Sequence, residues 1–309
     1  MAKCTKYNLE GMMPILPTAI VEDETIDVDS ERNLVAHCLQ CGANAIGHLA
    51  WASEFKKLSE EDRNCLTEVL VEEVAGRVPV FLGVTAPSRR VAIRYALQAE
   101  ERGVDIIMAA LPYACTPKKQ EAYDYYKALS ESVSIPIIIQ DVPVGPTILT
   151  ADLMWKLYSD FENISYIKAE DHDFLPKTAE LLKLSDDGSE IIGGFGGKYM
   201  IHMLRLGIKT FMTGTEALDI HNKVVSSYSQ GQIETAVDVY YNRLLPYLGF
   251  YEQYAEELLK KMLAWRGIIA CDKVIPPRDK SSMTEAESRE FRWVLDQIDY
   301  YNIDTMNNI

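Results

Sequence analysis

The chain has 309 residues, 48% of them hydrophobic and 25% charged, with 17 Gly and 13 Pro. That length means one large domain or two ordinary ones, and that composition excludes a disordered or collagen-like chain. The 31 Lys+Arg against 46 Asp+Glu leave a formal charge of −15, which repels polyanions; no dense Lys/Arg stripe offsets it, so nucleic acid is excluded as a partner while a small anion held by local donors is not.

Short runs rich in Val, Ile and Leu recur at 12–20, 45–49, 78–84, 106–111, 136–141, 164–170, 190–195 and 209–214. Each is followed by a stretch of helical period, among them 60–75, 88–102, 117–132 and 151–161. The spacing is what a strand plus a crossover helix needs. Ser59 and Thr150 stand where helix caps belong, and Pro117 is expected at a first helical position. Apolar runs that do not alternate with polar residues indicate strands buried on both faces, hence a parallel sheet. Eight such units in series predict an α/β fold of the (β/α)8 TIM-barrel type over residues 1–216. Residues 217–309 show no further strand pattern and are read as the last barrel helix plus a C-terminal helical appendage, with helices near 233–247, 252–265 and 284–300. No run approaches the ~18 apolar residues of a membrane helix. The opening MAKCTKYNLEG carries no charged-then-apolar export pattern, so the expectation is a cytoplasmic chain with no membrane partner.

Barrel active sites form at the C-terminal ends of the strands. The sixth run ends Ile164-Ser-Tyr-Ile-Lys168-Ala-Glu170, and the period of two puts Lys168 and Glu170 on one face. A lysine in an apolar strand needs a reason. Two are open from spacing alone: an ion pair holding the barrel mouth closed, or an imine-forming amine with an acid/base partner. Other candidates read more plainly. Cys38-x-x-Cys41 has no second pair to complete a metal set, and the six cysteines (Cys4, Cys38, Cys41, Cys65, Cys115, Cys271) are expected as free thiols. His48 and His172 lie near strand mouths without metal-ligand companions, so no metal and no cofactor is expected. Glu54 is read as structural, and Asp141 as binding either a hydroxyl or the adjacent loop. Gly193-Gly194-Phe195-Gly196-Gly197 lacks the Lys-Ser/Thr of a phosphate loop and is read as a close backbone approach to substrate. Tyr240, Tyr241, Tyr247 and Tyr251 fall at helical spacing and are read as packing.

The ordered set Gly11-Met-Met-Pro-Ile-Leu-Pro17-Thr18, Ser53-Glu54 with Leu58-Ser59-Glu60-Glu61, Pro112-Tyr113, Tyr166-Ile167-Lys168 and Gly193-Gly194 resembles the dihydrodipicolinate synthase/N-acetylneuraminate lyase family over essentially the whole chain. The resemblance implies that Lys168 forms a Schiff base with the carbonyl of a 2-oxo acid, and that the chain is a homo-oligomer, dimer or tetramer. The departures narrow the function. Gln140 stands where the synthases and aldolases carry a proton-shuttling tyrosine, and glutamine has no titratable proton. Ala50-Trp51-Ala52-Ser53-Glu54 replaces a loop with two threonines, Ala114 replaces a second tyrosine, and Val144–Thr147 lacks the arginine of the synthases. Gln140-Asp141-Val142-Pro143, Ser53-Glu54, Lys168-Ala169-Glu170 and the late Ile268-Ile269-Ala270-Cys271 are similar to the L-2-keto-3-deoxyarabonate dehydratase branch.

The expectation that follows is a hydro-lyase that dehydrates a 2-keto-3-deoxy sugar acid through a Lys168 imine. An ordinary lysine, pKa near 10.4, is neutral in only about one molecule in 2,500 at neutral pH, and burial lowers that value. Glu170 is assigned the C3 proton and its return to the leaving C4 hydroxyl; Ser53 the substrate carboxylate; Gln140, Tyr113 and Thr18 the sugar hydroxyls; and Gly194 the close approach. Two alternatives stand beside it: a pyruvate-dependent aldolase, and a non-catalytic barrel that binds a keto acid.

Overall fold

Each apolar run forms a short strand: β1 Gly11–Met12, β2 Ile46–His48, β3 Val80–Gly83, β4 Ile106–Ala109, β5 Ile137–Asp141, β6 Ile164–Ala169, β7 Ile191–Gly193 and β8 Thr210–Phe211. The structure is a computed structural model that describes residues 7–142, 147, 149–170, 173–278 and 280–302. Cys4, Asp171, His172 and the segment Pro143–Pro146 lie outside the described residues. All ladders are parallel, in the order β1-β8-β7-β6-β5-β4-β3-β2. The open side is closed by Ile15, which bridges Gly47 on one flank and Gly214 on the other. There the Leu16 N–H donates to the Gly47 carbonyl at 2.8 Å and the Gly47 N–H donates to the Pro14 carbonyl at 3.0 Å. The first apolar run therefore yields a two-residue strand and isolated bridges, because Pro14 and Pro17 have no N–H to offer a ladder.

The crossover helices are α1 Val28–Gln40, α2 Glu60–Val74, α3 Arg89–Glu101, α4 Lys119–Ser130, α5 Ala151–Asp160, α6 Phe174–Leu182, α7 Met200–Leu206 and α8 Leu218–Ser229. Ser59 caps α2 by accepting the Asp62 N–H, and Thr150 caps α5 by accepting the Leu153 N–H. Pro117 is not at a first helical position: Lys118 is the cap residue of α4, which puts the proline one residue outside. Along every strand, side chains alternate between two apolar layers. Met13, Ile15, Phe81, Ile106, Met108, Ile138, Tyr166, Ile192 and Met212 fill the inside of the barrel, while Leu82, Ile107, Ile139, Ile167 and Ile191 pack outward on the helices. This two-sided burial is why the strands read as continuous apolar runs.

Beyond α8 the regular elements are helical: α9 Ile233–Val239, a five-residue π turn over Tyr240–Leu244, α10 Leu245–Trp265 and, after an irregular stretch, α11 Glu285–Gln297. The helices expected at 233–247 and 252–265 are one continuous rod that departs from helical geometry at Tyr254 (φ −126°). Buried charges tie this rod to the barrel. Arg266 makes a two-pronged contact with Asp219 of α8 at 2.9 and 3.0 Å. Lys260 pairs with Glu54 in the loop after β2, and Lys57 of that loop reaches Glu54 at 3.0 Å and Glu256 at 3.2 Å. Among the described residues, no helix is long and apolar enough to cross a membrane.

Candidate active site

Lys168 and Gln140 are neighbours because β5 and β6 pair in the register Ile138↔Tyr166 and Gln140↔Lys168. Ile138 and Tyr166 face the barrel interior, so two residues on, Gln140 and Lys168 face it as well, one layer nearer the mouth. Both are buried, Lys168 at 2% exposure. Glu170 follows on the same face, just past the end of β6. Its Oε2 lies 2.7 Å from Lys168 Nζ and accepts from Gln140 Nε2 at 3.0 Å, while Oε1 accepts the Phe195 N–H at 3.2 Å. A lysine, a carboxylate and an amide thus share one point at the barrel mouth.

The loop after β7 completes this group. A Cβ on Gly194 would stand 3.0 Å from Glu170 Oε1 and 3.1 Å from Lys168 Cε, so the residue is glycine for want of space. Phe195, Gly196 and Gly197 then take φ of 58°, 62° and 81°. Phe195 is the one that pays a steric penalty there, of order 1 kcal/mol, and its strained turn is what aims its N–H at Glu170. Leu49 and Glu54, at the mouth of β2, are also left-handed, with φ of 60° and 54°.

The remaining candidates form a second group around the loop after β2. Thr18 Oγ1 donates to the Ser53 carbonyl at 2.6 Å, and Ser53 Oγ donates to the Leu16 carbonyl at 2.6 Å while accepting the Ala50 N–H at 3.3 Å. Both hydroxyl protons are therefore engaged in holding the β1 and β2 loops together. Tyr113 packs edge-on against Phe55, ring centres 5.9 Å apart, with Lys56 Nζ 5.5 Å from its ring; burial raises its phenol pKa. Asp141 pairs with Lys177 of α6 at 2.7 Å, both buried. His48 stands 3.2 Å from Glu31, and Cys38 and Cys41 are buried and in no disulfide. Among the described residues no group of three or more His, Cys, Asp or Glu is arranged to hold a metal ion.

A third cluster lies behind the glycine loop, and nothing in the sequence marked it. Glu216, at the end of the β8 loop, is fully buried, and burial lifts its carboxyl to about 7. Its Oε1 accepts from the Tyr247 hydroxyl at 3.2 Å. That hydroxyl is 3.4 Å from His221 Nε2, which is itself 3.1 Å from the Gly196 carbonyl. Burial drives His221 down to about 4, so the ring is neutral and donates from Nε2 to Gly196. Tyr251 of α10 covers the other side of Gly196: a Cβ on that glycine would be 3.4 Å from ring atoms Cε1 and Cζ. Of the four C-terminal tyrosines expected as packing, Tyr247 and Tyr251 therefore touch the site loop or its support. Their signal was indistinguishable from an apolar helix face.

The sequence pattern of the dihydrodipicolinate synthetase family matches residues 8–297. The chain is 28% identical over 270 residues to an L-2-keto-3-deoxyarabonate dehydratase of Azospirillum brasilense, covering 85% of this chain and 86% of that protein. It is 30% identical over 190 residues to a 4-hydroxy-tetrahydrodipicolinate synthase of Phocaeicola vulgatus, covering 61% of this chain and 64% of that one. In fold it matches the dihydrodipicolinate synthase of Thermotoga maritima with a TM-score of 0.87 at 22% identity, over 95% of this chain and all of that structure (100%). The barrel, the inward lysine on β6 and a match that runs nearly end to end agree: the chain belongs to the dihydrodipicolinate synthetase family, a family of lyases.

Proposed function

We propose that this chain is a hydro-lyase that removes water from a 2-keto-3-deoxy sugar acid through a Lys168 imine. L-2-keto-3-deoxyarabonate is the preferred substrate, and 2-oxoglutarate semialdehyde is the product. The observation that carries the reading is the contact of Lys168 with Glu170 at 2.7 Å, with Gln140 beside them in place of a tyrosine. The similarity to the Azospirillum brasilense dehydratase supports the substrate class. The likeness to synthases supports only the family.

The Lys168 amine adds to the C2 carbonyl and water leaves, giving an iminium that withdraws electrons from C3. Glu170 takes a C3 proton, and the C3–H electrons form an enamine. The enamine then expels the C4 hydroxyl, which departs as water once protonated, leaving an iminium conjugated to a C3–C4 double bond. Loss of a C5 proton and gain of a proton at C3 move that double bond to C4–C5; hydrolysis of the iminium frees Lys168, and the C4–C5 enol tautomerises to the aldehyde. The amide of Gln140 donates to Glu170 and keeps its carboxylate turned toward Lys168, but brings no proton of its own to the reaction. A retro-aldol cleavage needs a base on the C4 oxygen, whereas this elimination needs an acid. Ser53, Thr18 and Tyr113 line the opposite loop as supports for the substrate's carboxylate and hydroxyls.

Borohydride added with pyruvate or with 2-keto-3-deoxyarabonate should fix a reduced adduct on Lys168, located by peptide mass mapping. Lys168→Ala should give no adduct and no turnover; residual turnover in that variant would refute the imine. Pyruvate release, read with lactate dehydrogenase, separates the aldolase reading from this one, since dehydration releases none.

A further inference from the structure

On the sequence alone Glu170 acts twice, on C3 and then on the C4 hydroxyl; a separate donor for the second step would relieve it of that. The departing hydroxyl must receive a proton, yet the hydroxyl protons of Thr18 and Ser53 are engaged with backbone carbonyls. Gln140 donates to Glu170, and Tyr247 donates to Glu216. The Tyr113 hydroxyl has no hydrogen-bond partner among the described residues, but its ring packs on Phe55 of the opposite loop. Tyr251 packs instead on the glycine loop beside the reacting pair. It is half-buried, its ring lies against Gly196, and among the described residues its hydroxyl meets no hydrogen-bond partner. The same five-residue glycine loop touches Lys168 Cε and Glu170 through Gly194. The charges of Glu170 and Glu216 both act on the phenol, so the hydroxyl lies within the field of the proposed base.

We infer that Tyr251, carried in by α10 of the C-terminal appendage, is a catalytic residue: its phenol hydrogen-bonds the substrate's C4 hydroxyl and protonates it as the C4–O bond breaks. The inference rests on the Lys168 imine reading above. In this step Glu170 holds the proton taken from C3, and the C4–O electrons go to the oxygen. That oxygen takes the Tyr251 proton and leaves as water, and the phenolate recovers a proton from the Glu170 carboxyl. The substrate has then lost one hydrogen from C3 and one hydroxyl from C4, and both side chains are as they began. Burial together with the two carboxylates raises the phenol's pKa far above the ordinary tyrosine value, so it is present as a donor across the physiological range and not as a phenolate base. That condition suits water loss and disfavours carbon–carbon cleavage, and it places in the appendage a group with no counterpart on β5.

The test is Tyr251→Phe, which keeps the ring against Gly196 and removes only the hydroxyl. Three readouts separate the roles: borohydride trapping of pyruvate on Lys168, exchange of pyruvate C3 hydrogens with deuterated water, and turnover of 2-keto-3-deoxyarabonate. The expected result is trapping and exchange within about threefold of the parent protein, with kcat reduced roughly 10²–10³-fold, the range of a lost general acid. An unchanged kcat would overturn the assignment. So would loss of trapping and exchange in a folded variant, which would make Tyr251 a positioning residue for Lys168. If the parent protein itself fails to trap either acid, the imine reading has failed and the Tyr251 step falls with it, a result distinct from both others.

Discussion

At the scale of single residues, the site is built on spatial exclusion as much as on functional groups. Gly194 has a negative φ, −127°, so its substitution meets no left-handed penalty. What an added methyl meets is Glu170 Oε1 at 3.0 Å and Lys168 Cε at 3.1 Å. Gly194→Ala should therefore leave the melting temperature within a few degrees while lowering kcat/KM about tenfold, since the reacting pair must give by a few tenths of an ångström and a ~1 Å misplacement costs about 100-fold. Thermal melts beside steady-state kinetics decide it; a variant that melts early and keeps its specific activity would mean that Gly194 serves the fold. Lys168 and Glu170 were legible in the sequence because a strand imposes a period of two, whereas Gln140 and Gly194 were legible through the family resemblance. A charged residue breaking an apolar run is conspicuous against that period. Tyr251 and Glu216 were not, because their meaning depends on what stands across from them in space. An aromatic on a helix face has the same pattern whether it meets a core or a substrate.

At the scale of elements, the sequence revealed strands better than it revealed their joins. Apolar runs buried on both faces announced all eight strands, and the prolines of the first run shortened β1 for a reason visible in the sequence. The charged interior under α10 was hidden, because Lys260 and Glu54 are far apart in the chain and each looks like a surface residue. They are 1% and 0% exposed at the side chain, and burial lowers the lysine pKa against the pull of Glu54. Removing one member of such a pair strands the other charge, while removing both can be nearly neutral. Lys260→Met is expected to lower unfolding free energy by about 3 kcal/mol, toward the lower end for a broken buried pair because Lys57 still reaches Glu54. Adding Glu54→Gln should recover at least half of the loss. Denaturant unfolding of the parent, the two singles and the double gives the coupling directly; additive losses would show that the pair does not hold the appendage to the barrel.

At the scale of the whole molecule, buried titratable groups with opposite signs set how stability depends on pH. Glu216 has its carboxyl raised from 4.5 to about 7 by burial. Between those values the native protein holds a proton that the unfolded chain has released, so stability falls as pH rises from about 4.5 through 7. His221 and His37 are both lowered from 6.5 to about 4, again chiefly by burial. There the unfolded chain binds the proton first, so their contribution is present above 6.5 and is lost as pH falls toward 4. Below 6.5 two histidines oppose one carboxyl, and above it Glu216 acts alone among the three. Their combined effect therefore favours the native state most near pH 6.5. Glu216→Gln keeps an acceptor for the Tyr247 hydroxyl and cannot ionise. The parent protein's unfolding free energy minus that of the variant should accordingly decline by roughly 2–3 kcal/mol between pH 5 and 8, measured by denaturant titration at each pH. A difference that stays level across that interval would show that Glu216 is ionised in the native state and that the chain from Glu216 through Tyr247 and His221 to the Gly196 carbonyl holds a charge. A declining one means that below about pH 7 the glycine loop behind Lys168 and Glu170 is braced by neutral hydrogen bonds.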